Sequence, residues 1–140
     1  MAAYENIPSA PLKGIKVIEV CITWCMEIAQ ETGQPGFQFA GLAPGPYAGL
    51  ILADWGASVI RVDRADQPTS TDFLCRGKRS IAINSKVTEG REVLRKLISE
   101  ADVVIDPFRP GVMERLGLGP GVFLGEGGLN KSLVYARMAG

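Results

Sequence analysis

A 140-residue chain with 46% hydrophobic and 21% charged residues has the composition of one folded globular domain, which excludes a disordered chain. Its longest apolar runs, such as Leu50 to Ala53, are far shorter than the roughly 20 residues a helix needs to cross a bilayer, so no membrane association is expected. Fifteen basic and fifteen acidic residues cancel; no global field draws the chain to nucleic acid, and an anion site has to come from a local cluster.

The first twelve residues, Met1 to Leu12, carry Glu5 and no arginine, unlike a basic import presequence, and read as a flexible extension. From Gly14 the chain turns to a βα pattern. Ile15, Val17, Ile18 and Val20 make a β-branched run of the kind buried on both faces, the first strand. Ala40 to Pro46 (A-G-L-A-P-G-P) is a Gly/Pro loop that places Pro46 at the first turn of a helix over about Tyr47 to Trp55. Ala48, Ile51, Leu52 and Trp55 give that helix one apolar stripe, and Gly56 supplies a left-handed stop. Ser58 to Val62 is a second strand, Asp66 to Arg76 a polar loop, and Ser80 to Ile83 a third strand. A helix follows, capped by Thr88, with Val93, Leu94, Leu97, Ile98 and Ala101 as its buried face. Val103 to Ile105 is a fourth strand, Val112 to Leu116 a short helix, and Leu133 to Ala136 a fifth strand. Strands alternating with helices predict an α/β fold, a Rossmann-like parallel sheet with flanking helices. Gly140 comes directly after a strand with no helix to cover it, so the sheet is expected to be incomplete.

Chemistry is sparse. Histidine is absent and the three cysteines, Cys21, Cys25 and Cys75, cannot supply the four or so ligands of a zinc site, so no metal is expected. An odd cysteine count without a signal peptide points to reduced thiols inside a cell. No Ser-His-Asp or Cys-His set can form, and Asp54, Asp102 and Asp106 read as surface or capping residues, so no catalytic residue is assigned. Arg61 and Arg64 leave the second strand, while Arg76, Lys78, Arg79 and Lys86 flank the third. Ligands of open α/β sheets bind beyond the carboxyl ends of the strands, and these cations suggest a polyphosphate there. Asp63 follows the Gly-rich turn at the spacing of a ribose-binding carboxylate, yet G-L-A-P-G-P is not G-x-G-x-x-G and its prolines remove amide donors, which argues against a nicotinamide dinucleotide.

Four words, Ala40 to Arg64 (A-G-L-A-P-G-P-Y-A-G-L-I-L-A-D-W-G-A-S-V-I-R-V-D-R), Arg76 to Lys86 (R-G-K-R-S-I-A-I-N-S-K), Asp106 to Gly117 (D-P-F-R-P-G-V-M-E-R-L-G) and Leu133 to Gly140 (L-V-Y-A-R-M-A-G), resemble the family III CoA-transferases. R-G-K-R-S leans toward the α-methylacyl-CoA racemase branch. The resemblance implies a substrate of acyl-CoA type, with coenzyme A carried as part of the thioester and no separate cofactor. It implies that Arg64 and Ile83-Asn84-Ser85-Lys86 contact the CoA nucleotide, with Arg109 as a further phosphate partner. Family members more often read Asp-Leu-Lys where this chain has Asn84-Ser85-Lys86, which leaves backbone groups to make the contact. The histidine and aspartate that move the α-proton in the racemases lie beyond the Y-A-R-M-A-G word, as does the aspartate of the transferases, so this stretch alone is expected to be inactive. Homodimers and a peroxisomal or mitochondrial setting are also implied.

One segment departs from the family. Val20 to Gln38 stands between the first strand and the A-G-L-A-P-G-P loop, and without it the chain reads K-V-I-E-F-A-G-L-A-P-G-P. The codons for Val20-Cys21 and Phe37-Gln38 can carry the two ends of an in-frame intron, so the segment reads as an unspliced intron; the alternative is a loop insertion with a short helix over Met26 to Glu31. The expected organisation is an extension over 1–12 and a partial family domain over 13–140, interrupted at 20–38.

Overall fold

The computed structural model describes residues 10–20, 44–65 and 73–138. Cys21, Cys25, the segment through Gln38, the first part of the Gly/Pro loop and most of the extension lie outside the described residues. Strands β1 (Lys16–Val20), β2 (Ser58–Arg64), β3 (Arg79–Ile83), β4 (Val103–Asp106) and β5 (Val134–Arg137) form one sheet in the order β3-β2-β1-β4-β5. Every pairing is parallel, with Ile18 opposite both Ile60 and Val104, and Arg64 opposite Ile83. Helices α1 (Pro44–Asp54) and α2 (Thr88–Ser99) make the long crossovers, and α3 (Val112–Arg115) and α4 (Pro120–Phe123) lie between β4 and β5. The expected Rossmann-like α/β architecture is therefore the observed one.

Alternation along the strands sends side chains to two cores. Ile18, Val20, Val62, Ile83 and Val104 meet Leu94 and Ile98 of α2 on one face. Val17, Val59 and Ile105 meet Ala48, Leu52 and Ala53 of α1 on the other. Ile98 and Leu94 are almost fully enclosed, and burial of side chains of that size stabilises by about 1.5–3 kcal/mol each. Gly56 ends α1 at φ +96°, the left-handed stop its position predicts.

Three local expectations need correction. The buried face of α1 is Gly45, Pro46 and Gly49, with Ala48, Leu52 and Ala53 packed beside them, whereas Ile51 and Trp55 point outward. Small residues face inward because the helix rides close over β1: a Cβ on Gly49 would overlap Glu19 Oε2. On α2, Val93 is exposed, leaving Leu94, Ile98 and the following Ala101 as the fully buried residues of that stripe. Thr88 is the first helical residue and does not cap; Val87 holds the cap position without a side-chain bond, and Thr88 Oγ1 instead accepts from Arg91.

Candidate functional site

Carboxyl ends of parallel strands are the edge where ligands of such sheets bind, at the crevice where connections diverge to either side. Here the divergence lies between β1 and β4. On one side of it Arg64 closes β2 directly opposite Ile83, the last residue of β3. The chain then runs through Asn84, Ser85 and Lys86 into the amino end of α2. Ser85 is buried, while Asn84 and Lys86 are exposed. The Lys86 amide donates to Asn84 Oδ1 at 3.0 Å and the Lys86 carbonyl accepts from Arg91 at 3.2 Å, which folds the segment into a tight turn. Gly90 lets α2 lie against this turn, since a Cβ there would overlap the Asn84 carbonyl oxygen. Parallel pairing thus brings Arg64 and Ile83 to Lys86 into one neighbourhood.

Arg109 sits on the far side of the crevice, exposed in the turn after β4, where its carbonyl accepts from the Val112 amide. Two strand spacings separate β2 from β4, about 10 Å at 4.7–4.9 Å each. A ligand lying across the crevice would bridge Arg64 and Arg109.

Most of the other cations expected at this edge are engaged elsewhere. Arg61 is buried, donating through Nε to Asp63 at 2.8 Å and through a terminal nitrogen to Cys75 Sγ at 3.1 Å. That ion pair occupies the Asp63 carboxylate, consistent with the exclusion of a dinucleotide site. Arg76 forks onto Asp54 at 3.2 and 2.6 Å and, through these hydrogen bonds, holds the Asp54 carboxyl below its ordinary range. Arg79 points to the opposite end of the sheet and donates to Ser58. Lys78 is buried against Glu19 at 2.6 Å. A cation's place in the sequence does not tell that three of these, Arg61, Arg76 and Lys78, pair with acids and that Arg79 lies at the other end of the sheet.

A second charged group, expected at the surface or in a cap, is buried and caps the turn after β4. Asp106, 1% exposed at the end of β4, accepts from the Phe108 amide at 3.0 Å and from Arg137 at 3.1 Å, and Arg137 also reaches Glu114 at 2.8 Å. Burial raises the Asp106 carboxyl above the usual range, against the pull of Phe108 and Arg137. Tyr135 donates to the Leu118 carbonyl, and burial followed by the Asp106 charge keeps its phenol protonated far beyond neutrality. The signal in the sequence was Asp106 continuing a β-branched run, with Arg137 in register with it on β5. Among the described residues no cluster of three or more histidine, cysteine, aspartate or glutamate side chains could hold a metal ion, and no helix is long and apolar enough to cross a membrane.

A cavity of about 220 Å³ lies at the other end of the sheet, lined by Lys16, Ser58, Arg79, Leu97 and Glu100. It is remote from Arg64, Ile83 and Asp106 at the strand ends, and its mixed charges offer no concentrated anion site.

The fold has known counterparts. Residues 37–140 match the model of CoA-transferase family III. The chain belongs to this family. Family III members similar to it include the mouse alpha-methylacyl-CoA racemase, 50% identical over 103 residues that make up 74% of this chain and 26% of the relative. A formyl-CoA:oxalate CoA-transferase of Escherichia coli is 32% identical over 124 residues, covering 78% of this chain and 25% of the relative. Among solved structures, Rv3272 from Mycobacterium tuberculosis superposes with a TM-score of 0.68 at 32% identity, over 93% of this chain and 32% of that one. The chain spans about a quarter of the length of the mouse racemase it matches. Its relatives therefore include both racemases and transferases.

Proposed function

We propose that this chain supplies the CoA-binding edge of an acyl-CoA racemase-like enzyme, one that inverts the α-carbon of 2-methylacyl-CoA thioesters through an enolate. The observation that carries the reading is the register of Arg64 with Ile83. It sets Arg64 beside the Asn84 to Lys86 turn at the carboxyl ends of β2 and β3. Arginine presents a planar fork suited to phosphate oxygens, and the Asn84 to Lys86 backbone offers polar groups to adenine and ribose. Arg109, across the crevice, is the partner for a second phosphate of the same extended molecule. Identity of 50% with the mouse racemase against 32% with the formyl-CoA transferase favours racemisation over CoA transfer between carboxylic acids.

The chemistry itself falls to residues outside this chain. It contains no histidine, and Asp106, a carboxyl raised by burial, is tied to Arg137 and the Phe108 amide. In this reading the 140 residues alone are inert and coenzyme A enters only as part of the thioester; family resemblance adds a homodimer and a peroxisomal or mitochondrial setting for the complete enzyme. The segment over 20–38 reads as an interruption of the domain, with its first residue, Val20, closing β1 in the core.

Titration calorimetry with CoA on the folded chain and on Arg64→Ala tests the binding assignment. Loss of one charge-assisted phosphate contact, worth about 1.5–3 kcal/mol, lowers affinity about ten- to hundredfold, and the parent affinity falls with salt. Equal affinity of the two chains would remove Arg64 from the site. Epimerisation of a resolved 2-methylacyl-CoA by the 140 residues alone would refute their inertness.

A further inference from the structure

The word R-G-K-R contributes less to the ligand edge than its charge suggests, and its third residue is enclosed. Lys78 Nζ donates to Glu19 Oε2 at 2.6 Å and to the Pro46 carbonyl at 2.8 Å, with both charged side chains 1% exposed. Lys78 directly precedes β3, Glu19 is on β1 and Pro46 is in the first turn of α1, so one ammonium reaches across β2 to join three elements. Gly49 leaves no slack, because the carboxylate fills the space its missing side chain vacates.

Such an anchor answers a weakness of β3. Among the described residues it is an edge strand, paired to β2 alone, and four of its five residues are exposed. Register is strongly specified where one face of a strand is buried and weakly where it is not, and a slip of one residue sends every side chain to the opposite face. For β3 a slip would also carry Ile83 away from Arg64. Buried ion pairs are poor contributors to stability compared with an apolar pair of similar volume; their best-attested use is to fix register.

We infer that Lys78 is a positioning residue, whose buried bond to Glu19 pins the register of edge strand β3 and thereby holds the Ile83 to Lys86 turn beside Arg64. The inference deepens the CoA-binding reading and rests on it for its functional consequence. Lys78 touches no ligand; it acts through β3.

The test replaces both partners, Glu19→Met with Lys78→Met, in the 140-residue chain. An apolar pair removes the buried charges together, so the cooperative thermal transition is retained while the directional bond is lost. Amide hydrogen exchange read by NMR should then be at least about tenfold faster in β3 than in the parent, with α2 unaffected, and the CoA dissociation constant should rise at least about tenfold. Unchanged protection of β3 overturns the inference whatever the affinity does. Faster exchange with unchanged affinity overturns the link to the ligand, and loss of the cooperative transition shows that the pair builds the fold rather than sets register. If the parent chain ignores CoA, the CoA-binding reading fails and takes the functional link with it, while the exchange comparison still decides the register claim.

Discussion

Gly49→Ala ought to stabilise a helix, and in this fold it should do the reverse. On propensity alone, alanine gains about 0.8–1 kcal/mol over glycine in a helix interior. The position lies on the inner face of α1, however, and a Cβ built there overlaps Glu19 Oε2 and comes to 3.1 Å from Lys78 Nζ. Both of those side chains are 1% exposed, so neither can swing into solvent. The new methyl has to displace the carboxylate from its ammonium, and breaking a buried pair costs about 3–5 kcal/mol. The net loss is about 2–4 kcal/mol, which for a domain of this size lowers the melting temperature by roughly 6–15 °C. Thermal unfolding followed by circular dichroism measures this directly. In a Glu19→Ala/Lys78→Met background the obstruction is gone, and the same substitution should show its ordinary gain. A Gly49→Ala chain as stable as its parent would refute the close approach of α1 to β1 and the buried pair beneath it.

Other expectations follow from the same contacts. Gly90→Ala meets the Asn84 carbonyl and comes to 3.3 Å from Ile83 Cγ2, so it should destabilise the chain despite better helix propensity and weaken CoA binding; unchanged affinity in folded protein would show that the turn after β3 does not contact the nucleotide. Burial raises the Asp106 carboxyl above its ordinary 3.8, so the folded chain keeps that proton to higher pH than the unfolded chain does. Its contribution to stability is fullest below the unfolded value and is lost as pH rises through the raised one. Denaturation of the parent minus that of Asp106→Asn should therefore become less favourable to the parent as pH climbs from about 4; a difference that grows with pH would mean that Arg137, rather than burial, dominates. Transcript sequencing should recover reads joining the codon for Glu19 to that for Phe39, and their absence from deep coverage would leave Val20 to Gln38 as a translated insertion.

The strands were legible because their signal is local: Val17, Ile18 and Val20, or Val103 to Ile105, are β-branched runs of the kind found in a parallel strand covered on both faces. Turn chemistry was equally direct at Gly56. What periodicity could not give was the inner face of α1, because a helix that packs through Gly45, Pro46 and Gly49 carries its large residues outward, opposite to the usual amphipathic rule. The strand-end placement of Arg64 and Ile83 to Lys86 was available from the family words, and parallel pairing brings those residues together. The cation cluster was overcounted for a different reason. A charge on the line of sequence has no partner, whereas Arg61, Arg76 and Lys78 each find an acid in the fold. Glu19 in the middle of a buried apolar strand was the clue to Lys78, since an acid enclosed on both faces requires a cation.

Chemical-shift mapping of the folded chain with CoA tests the central claim most directly. The account predicts that the perturbed amides are those of Arg64 and Asn84 to Lys86, with Arg109 across the crevice, and that they lose their response as salt is raised. Perturbations gathered instead around Lys16, Ser58 and Arg79 at the amino ends of the strands, or none at any concentration, would contradict it.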